Sequence, residues 1–462
     1  MAISAFYGLQ TSLRGLLAQQ RLLDTKGHNI ANSSTQGYSR QQATLAASPA
    51  LMIPAGATST GAGAMLGSGV DVQSYSRVRD QFLDIQYRGQ NANVSDWTAQ
   101  AGALSNAENS LSEPGDNGVN AQLQKFWDAW SSLANAPAGS AGLAAKQSLV
   151  SQGQALTDAV KSVYSQLQTV SQQSYSQYQD IVKVPGGQVD QIAKQVADLN
   201  KTISQMKTAG TEPNDLEDRR DQLLDQLSGF GQISVTNLAS GSLQVSFVDS
   251  SSGTTYPVVD DLNNVWSGPP AQDNWSPSGQ LGGLLTVSKP GGTIDGYLGD
   301  LDTFATNLAS LVNSAYGGTF LEVGATPAGG TPPQGAVAGL QVNPALVSNP
   351  DSVVSGSGNV GSNNLALAAS QLRGNPQIDG AYGAFVAKVG ADANQANIQQ
   401  ANAQALTDSV DNRRQSISGV SMDEEMTNLV KFQRAYQASS RAMSTMDDML
   451  DVLINRTGRV GL

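Results

Sequence analysis

Residues 421–454 read SMDEEMTNLVKFQRAYQASSRAMSTMDDMLDVLI, and their apolar side chains recur at alternating steps of three and four. Such steps place side chains on one stripe of an α-helix, and their mean of about 3.5 is the coiled-coil repeat. Ser421 is a favourable N-cap, and Glu424 three residues later completes a capping-box pattern. The segment predicts a long helix with a packing stripe of Leu429, Phe432, Tyr436, Ser439, Met443, Met446, Leu450 and Leu453.

The opposite end of the chain carries the same pattern. Its stripe consists of Phe6, Leu9, Leu13, Leu16, Gln20, Leu23, Gly27 and Ile30. The two stripes could close one intramolecular coiled coil. However, apolar residues such as Leu17 and Val452 lie off the stripes, and a helix that is apolar on more than one side requires more than one neighbour. We therefore expect the two stripes to form an assembly interface between copies of the chain.

The composition excludes several classes of function. The 462 residues include 26 Lys and Arg against 38 Asp and Glu, a formal net charge of −12. This acidity argues against nucleic-acid and membrane partners, because both require a basic surface. Cys is absent and His occurs once, which excludes thiol catalysis, zinc fingers and disulfides. No apolar run reaches ~18 residues, and the first residues do not resemble a cleavable signal, so we expect no membrane span and no signal-dependent secretion.

Between the two ends the apolar period is mostly helical. It predicts helices over 76–111, 120–134, 143–182, 189–207 and 214–228, from 293 onward, and over 385–417. We expect Phe82 and Ile85 in the first of these helices, and Leu406 in the last, to lie on apolar faces.

The chain between the helices also carries strand and loop signals. Asn214 is expected to cap the helix over 214–228, and Gly229 to end it. From Gln232 to about residue 283 the period changes to two, which predicts half-buried strands. The Gly- and Pro-rich stretches 49–69 and 317–339 are expected to be loops.

No pattern supports catalysis or cofactor binding. Gly356–Gly361 spells GxGxxG, but a dinucleotide site needs a preceding strand and a parallel βαβ unit, which the surrounding sequence does not predict. His28 follows Asp24 by one turn, but nothing supplies a nucleophile or a sheltered pocket. Asp260 and Asp261 do not have the spacing of a calcium loop. We predict no catalytic, cofactor or metal site and no enzymatic activity.

The segment HNIAN at 28–32, followed by TQGYSRQ at 35–41, resembles the signature of the bacterial flagellar axial proteins of rod, hook and junction. In that family an Asn-Ile-Ala-Asn segment precedes Thr-Pro-Gly-Tyr. Gln36 stands where proline is usual, whereas the turn-forming glycine is kept. The matching residues are Asn29, Ile30, Ala31, Asn32, Gly37 and Tyr38.

Further segments resemble the hook-associated protein 1 family within this class. NDLEDRRDQLLDQLS at 214–228 resembles an internal helix of that family, and QLGGLL at 280–285 resembles another of its segments. Residues 418–438 resemble its C-terminal helix. Because the matches lie at both ends and in the middle, the resemblance covers nearly the whole chain.

The resemblance implies a structural subunit of the hook–filament junction, exported by the flagellar type III apparatus and located outside the cell. It implies a homo-oligomer whose neighbours are the hook protein and hook-associated protein 3, and an export chaperone on the C-terminal helix, with no cofactor. The alternatives are another axial protein, of the hook or distal rod, and a secreted binding protein or enzyme carrying axial ends.

The segments together predict a mainly α fold: an elongated multi-helix body with coiled-coil-like terminal helices and a small β-rich insertion. The expected parts are an axial helix and loop (1–75), a helical body (76–231), a β-rich insertion (232–285), the continued body with loops (286–383), and C-terminal axial helices (384–462). The ranges 1–75 and 384–462 are expected to form an inner tube.

We expect the terminal helices to fold fully only in the assembly. Ordering a backbone residue costs ~1–2 kcal/mol, and helices rich in Gln, Ser and Ala recover little of that cost alone. Largely unfolded ends in the free chain would order when neighbouring copies cover them.

Overall fold

The structure, a computed structural model, describes residues 6–53, 63–136, 140–270, 275–324, 335–357 and 361–456. It confirms a mainly α fold with small antiparallel sheets. The helices are α1 (Tyr7–Ala31), α2 (Gln81–Leu111), α3 (Val119–Ala134), α4 (Ser140–Val182), α5 (Gln188–Thr208), α6 (Asn214–Phe230), α7 (Gly279–Ser288), α8 (Thr293–Tyr316), α9 (Pro344–Ser348), α10 (Asn364–Ser370), α11 (Asp379–Ser418) and α12 (Met422–Asp451). The strands are β1 (Gln41–Ala47), β2 (Leu51–Ile53), β3 (Ala64–Leu66), β4 (Val70–Arg77), β5 (Ile233–Asn237), β6 (Leu243–Val248), β7 (Thr255–Asp260), β8 (Asn263–Asn264), β9 (Leu321–Glu322) and β10 (Gln341–Val342).

The helical body is organised around the apolar face of α3. Phe126, Trp127 and Trp130 on this face are fully buried, and the Trp130 ring centroid lies 4.9 Å from that of Phe320. Burying a large apolar side chain contributes roughly 1.5–3 kcal/mol. Around α3 pack α4, α10 and α11, and α4 alone has 43 residues, a length of about 65 Å.

The predicted β-rich insertion is a four-stranded antiparallel sheet in the order β5-β6-β7-β8. Leu243, Val245 and Phe247 on β6 are buried, and their alternation with polar residues confirms the period-two interpretation. This face of the sheet packs in one core with Val196 of α5 and Leu224 of α6.

The N-terminal region contains strands that the local sequence pattern does not predict. In the range 49–69, expected to be a loop, β2 pairs with β3, while residues 54–62 lie outside the described residues. The preceding β1 pairs with β4 over Gln41–Arg77, with a bulge between Thr44 and Leu45. Such pairing depends on contacts distant in sequence, which local period does not reveal.

The start and apolar faces of the predicted helix over 76–111 are also corrected. Because β4 extends to Arg77, α2 begins only at Gln81, where the Asp80 side chain accepts from two backbone N–H groups. Phe82 and Ile85 are about two-thirds exposed rather than in the core. Leu406 on α11, also expected on an apolar face, is 55% exposed.

Three further boundaries differ from the predictions. Pro213, not Asn214, precedes α6, and Asn214 instead donates to the Tyr75 carbonyl. The helix continues through Gly229 to Phe230. Within the expected β-rich insertion, the Leu-rich residues 279–285 belong to α7 and are mostly buried between other helices.

The loop expected over 317–339 also contains secondary structure. It contributes β9, which pairs with β10, whereas residues 325–334 lie outside the described residues.

Candidate assembly interface

The terminal helices α1 and α12 form an antiparallel pair. A Cβ atom on Gly8 would lie 3.2 Å from Met446 Sδ, and one on Gly15 would lie 3.6 Å from Ser439 Oγ. The glycines at these two positions of α1 therefore leave room for the side chains of Met446 and Ser439 on α12. This intramolecular pairing is the alternative that the stripes left open beside contacts between copies.

The stripe predicted on α12 lies in this intramolecular seam. Leu450 is buried, and Leu429, Phe432, Tyr436, Ser439 and Met443 are half-buried. Met446 contacts the position of Gly8, and the Leu453 side chain lies outside the described residues. The chain's own α1 therefore covers part of the surface that we assigned to assembly.

The stripe predicted on α1 lies on a different face. The buried row of α1 that faces α12 includes Ala18, Leu22 and Asn29. At 3.6 residues per turn, Leu13 lies about 140° around the helix from Ala18. The predicted stripe is partly open: Phe6 and Leu13 are exposed, and Leu9, Leu16, Leu23 and Ile30 are half-buried.

The family motif forms a buried polar latch at the C-terminal end of α1. Asn29 has no exposed surface, and its Nδ2 donates to the Gln41 carbonyl at 2.9 Å and to Glu425 Oε2 at 3.0 Å. Its Oδ1 accepts from the Gln41 N–H at 2.9 Å and from the Tyr38 hydroxyl at 2.7 Å. We call this group the Asn29 latch. It joins α1, β1 and α12 through one fully satisfied amide.

A tight turn brings Tyr38 to the latch. The Tyr38 N–H donates to the Thr35 carbonyl at 3.2 Å, and Gly37 has φ +80°. This is the third position of a type II turn, which favours glycine, and the position before it favours proline. Gln36 occupies that position here, so the turn is retained without its usual proline.

Two ion pairs lie next to the Asn29 latch, at the first turn of α12. Lys26 Nζ donates to Glu425 Oε1 at 3.0 Å, and both side chains are nearly or fully buried. Arg40 Nη1 donates to Glu424 Oε2 at 2.8 Å. Ser421 caps the helix as predicted, because its side chain accepts from the Glu424 backbone N–H. The Glu424 carboxylate, which the capping box would use, binds Arg40 instead. These contacts fix the end of the terminal pair that lies nearest the body.

A cluster of ion pairs joins the terminal region to the helical body. Most of its acidic residues lie in one row on α6, the helix whose sequence resembles hook-associated protein 1. Asp221 contacts Arg77, Arg79 and Arg88 at 2.7–3.2 Å. The ion-pair cluster comprises Glu217, Asp218, Asp221 and Asp225 of α6 with Asp84, Asp411, Arg77, Arg79, Arg88, Lys207 and Arg414.

The charges in this cluster stabilise one another. Burial by itself raises the pKa of Asp221, but the positive charges of Arg79, Arg77 and Arg88 lower it to about 2. Burial likewise opposes the charge on Arg79, and the neighbouring carboxylates, above all Asp221, raise its pKa overall. Removing one partner from such a cluster leaves an uncompensated buried charge, which is strongly destabilising.

The sequence pattern does not predict this cluster as a whole, although it contains one signal for it. Glu217, Asp218, Asp221 and Asp225 recur at helical spacing on α6, which predicts one acidic face. The arginines that face it come from β4, the loop after it, α2 and α11. Only the fold brings these distant segments together.

His28 and the GxGxxG segment are the two sites considered for catalysis, and the structure describes the second only in part. His28 Nε2 lies 3.5 Å from Asp215 Oδ1, and its ring contacts that of Tyr38 edge-on. No group of three or more acidic or His side chains there could hold a metal ion. Part of the GxGxxG segment, residues 358–360, lies outside the described residues. No helix among the described residues is long and apolar enough to cross a membrane.

Known proteins resemble this chain in sequence and in fold. A family profile described as "Flagellar hook-associated protein FlgK helical domain" matches residues 104–320, and one described as "Flagellar basal body rod FlgEFG protein C-terminal" matches residues 412–456. Flagellar hook-associated protein 1 of Bacillus subtilis (strain 168) is 29% identical, with 98% of this chain and 99% of the relative covered. Its namesake in Escherichia coli (strain K12) is 25% identical, with 97% and 99% covered.

A shorter match and a solved structure agree with these relatives. Flagellar hook-associated protein 1 of Salmonella typhimurium is 30% identical over 60% of this chain and 50% of the relative. The solved flagellar hook junction protein FlgK from Burkholderia pseudomallei shares the fold, with a TM-score of 0.59 at 16% identity. That similarity covers 72% of this chain and all of the solved one.

The paired terminal helices and the rod-protein match in residues 412–456 define a flagellar axial protein. The full-length relatives and the match to the helical-domain profile identify the family within this class. The chain belongs to the flagellar hook-associated protein 1 family. Membership places it in the flagellum, among the structural components of that organelle.

Proposed function

We propose that this chain is a structural, non-enzymatic subunit of the junction between the flagellar hook and the filament. The observation that supports this role best is the alignment over almost the full length of both chains with hook-associated protein 1. A second support is physical: a subunit of a tubular wall needs apolar surface that neighbours can cover. The terminal helix pair carries such a surface.

We place the contacts between copies on the open faces of the terminal pair. On α1 the open stripe includes the exposed Leu13, with Leu17 beside it. On α12, Met426 and Met449 are at least half exposed. Contiguous exposed apolar surface favours an interaction site, and contacts between non-identical faces of identical subunits build tubes. The predicted assembly residues on α1 thus remain candidates for the contacts between copies. The outward face of α12 is a further candidate.

The axial neighbours would be copies of this chain, the hook protein on one side and hook-associated protein 3 on the other. Export through the flagellar type III apparatus would precede assembly and place the chain outside the cell. We assign the export chaperone to α12, because an amphipathic helix with exposed methionines fits an apolar groove. In this arrangement 1–75 and 384–462 form the inner tube, and 76–231, 232–285 and 286–383 form the outer parts.

We propose that the terminal pair orders in two stages. Near the Asn29 latch, Leu22, Lys26 and Glu425 are buried, so this end of the helix pair can stay folded in the free chain. Farther away, Leu13 and Met449 are exposed, so folding stabilises that end less in the free chain. The distal halves would become fully ordered when neighbouring subunits cover them.

Electron microscopy of a strain lacking this gene tests the proposed function. We expect hooks without filaments, and filaments restored by expression of the wild-type chain. A hook or distal rod protein would instead leave cells without hooks. A secreted enzyme or binding protein would leave hooks and filaments unchanged, and either of these results would contradict the proposal.

A further inference from the structure

Within the described part of the chain, two short connectors join the terminal region, which consists of α1, β1–β4 and α12, to the helical body. The first connector, residues 78–80, leads from β4 to α2. The second, residues 419–421, leads from α11 to α12. A few residues at the ends of such elements are where the parts of a protein commonly hinge, so what holds these connectors decides whether the angle between the two parts is fixed.

The backbone of Arg40 contacts both connectors. Its N–H donates at 2.8 Å to the carbonyl of Ser418, the last residue of α11 before the second connector. Its carbonyl accepts at 2.8 Å from the N–H of Val78, the first residue of the first connector. One residue of the terminal region therefore holds the two places where the chain passes into the body.

The neighbours of Arg40 in sequence attach it to both parts of the molecule. The Ser39 N–H donates at 2.9 Å to Asp218 Oδ2 of α6 in the body, and both residues are buried. The backbone of Gln41 exchanges two hydrogen bonds with the Asn29 side chain on α1. We call residues 39–41 the joint segment, because its three residues bind α1, α6 and both connectors.

We propose that the joint segment, through the backbone of Arg40, holds the terminal region and the body at one fixed angle. Neither connector can turn without breaking a hydrogen bond to Arg40, and a rotation of the whole terminal region would also leave the buried Ser39 N–H without its acceptor. Backbone groups that lose their partners in this way are costly, which opposes the rotation.

This inference deepens the proposed function and rests on it for its meaning in the flagellum. If every copy keeps the same angle between its terminal helices and its body, the proposed inner tube and outer parts cannot turn against each other. The joint segment would thus make each subunit a rigid link between the two layers of the wall.

A distance measurement between two spin labels in the full-length free chain tests the fixed angle. Because the chain has no Cys, cysteines introduced at Gln404 on α11 and Lys431 on α12 are the only labelled positions. Both residues are exposed, and they lie within ~50 Å of each other along the chain, which pulsed electron paramagnetic resonance can measure. We expect one narrow distance distribution when the joint segment is wild type.

Arg40→Pro removes the N–H that binds the Ser418 carbonyl, together with the Arg40 side chain. It should at least double the width of the distance distribution, because the second connector is released from the joint segment. Arg40→Ala is the matched control. It keeps both backbone hydrogen bonds and loses only the side-chain pair with Glu424, so its distribution should stay narrow.

Gly419→Ala is a second variant that leaves the joint segment itself unchanged. A Cβ atom on Gly419 would lie 2.4 Å from the Gln415 carbonyl oxygen, so the second connector must shift. This shift should separate Ser418 from Arg40 and broaden the distribution as Arg40→Pro does. Circular dichroism of each variant confirms that the helices are folded.

Three results would overturn the proposal. They are a broad distribution with the wild-type joint segment, narrow distributions with both Arg40→Pro and Gly419→Ala, and equal broadening by Arg40→Ala and Arg40→Pro. All three are measured on the free chain, so none of them bears on whether the chain restores filaments in the strain lacking the gene. Failure of the wild-type chain to restore filaments would instead contradict the proposed function.

Discussion

Lys26 Nζ and Glu425 Oε1 lie 3.0 Å apart in an ion pair that is almost entirely removed from solvent. The two residues are 399 positions apart in sequence. Because Glu425 also accepts from Asn29, the pair and the latch together fix how α1 is aligned on α12. The two ends of the chain are therefore tied at the point where they leave the body.

Removing the carboxylate from this pair should loosen the terminal helices. Glu425→Ala leaves the Lys26 ammonium buried without a partner, at a cost of about 3–5 kcal/mol. We expect the amides of α1 near Leu22 and Lys26 to lose their protection from hydrogen exchange. Glu424→Ala is the control, because that carboxylate is half exposed and its pair contributes less than about 1 kcal/mol. Equal losses in both variants would contradict this account of the latch.

The open stripe of α1 should be needed for assembly and not for folding. Leu13 is 40% exposed, so Leu13→Asp should change the thermal stability of the free chain little. In the assembly it would bury a charge without a partner, and filaments should be lost from the hooks. Leu367→Asp, at a similarly exposed position on α10 in the body, is the control. Normal filaments with Leu13→Asp would show that this stripe faces solvent.

Acid should weaken the ion-pair cluster. The pKa of Asp221 is about 2 in the folded chain and about 3.9 when unfolded, so its stabilising contribution is complete above pH 5 and is lost as the pH falls toward 2. This contribution is about 2–3 kcal/mol. Asp221→Asn should therefore lower the melting temperature at pH 7, and its difference from wild type should shrink toward pH 2.

The exposed Asp198 provides the control for acid sensitivity. Asp198→Asn should follow the wild-type pH dependence of the melting temperature. If Asp221→Asn kept a constant difference from wild type at every pH, the cluster would not be the acid-sensitive element.

The turn before Tyr38 should require its glycine. Gly37 has φ +80°, and a side chain there would have room, since the nearest atoms of Gln222 are 3.6 Å away. Gly37→Ala should therefore cost about 1–2 kcal/mol through the backbone alone. Gly27→Ala within α1 meets nothing within 4 Å and should stabilise by about 0.5–1 kcal/mol. Opposite signs in urea unfolding are the expected result, and a stabilising Gly37→Ala would contradict the type II turn.

Limited proteolysis of the free chain should begin in the distal halves of the terminal pair. We expect the first cuts near Leu13 and Met449, and cuts moving inward toward the latch in Glu425→Ala. The reason is that the distal halves, although they include the buried Leu450, bury fewer side chains than the end near the latch, so they open at lower cost. Complete resistance of both ends in the free chain would show that assembly is not needed to order them.

The local pattern predicted the helices well and the strands less well. The face of α3 with Trp127 and Trp130 and the strand with Val245 follow directly from spacing, because both bury one side. Phe82 and Ile85 were assigned wrongly, since spacing identifies an apolar face but not whether a neighbour covers it. The same ambiguity applies to the terminal stripes, of which only the one on α12 lies in the intramolecular seam.

The amino-acid sequence by itself determined the helical period, the cap at Ser421, the absence of cysteine, and the motif around Asn29. These depend on neighbours within a few positions, which the sequence lists in order. Only the tertiary structure decided that Asn29 is a buried latch, that α6 faces the arginines Arg77, Arg79 and Arg88, and which side of each terminal helix stays open. Those features depend on segments hundreds of residues apart, and burial and ion pairing act through space rather than along the chain.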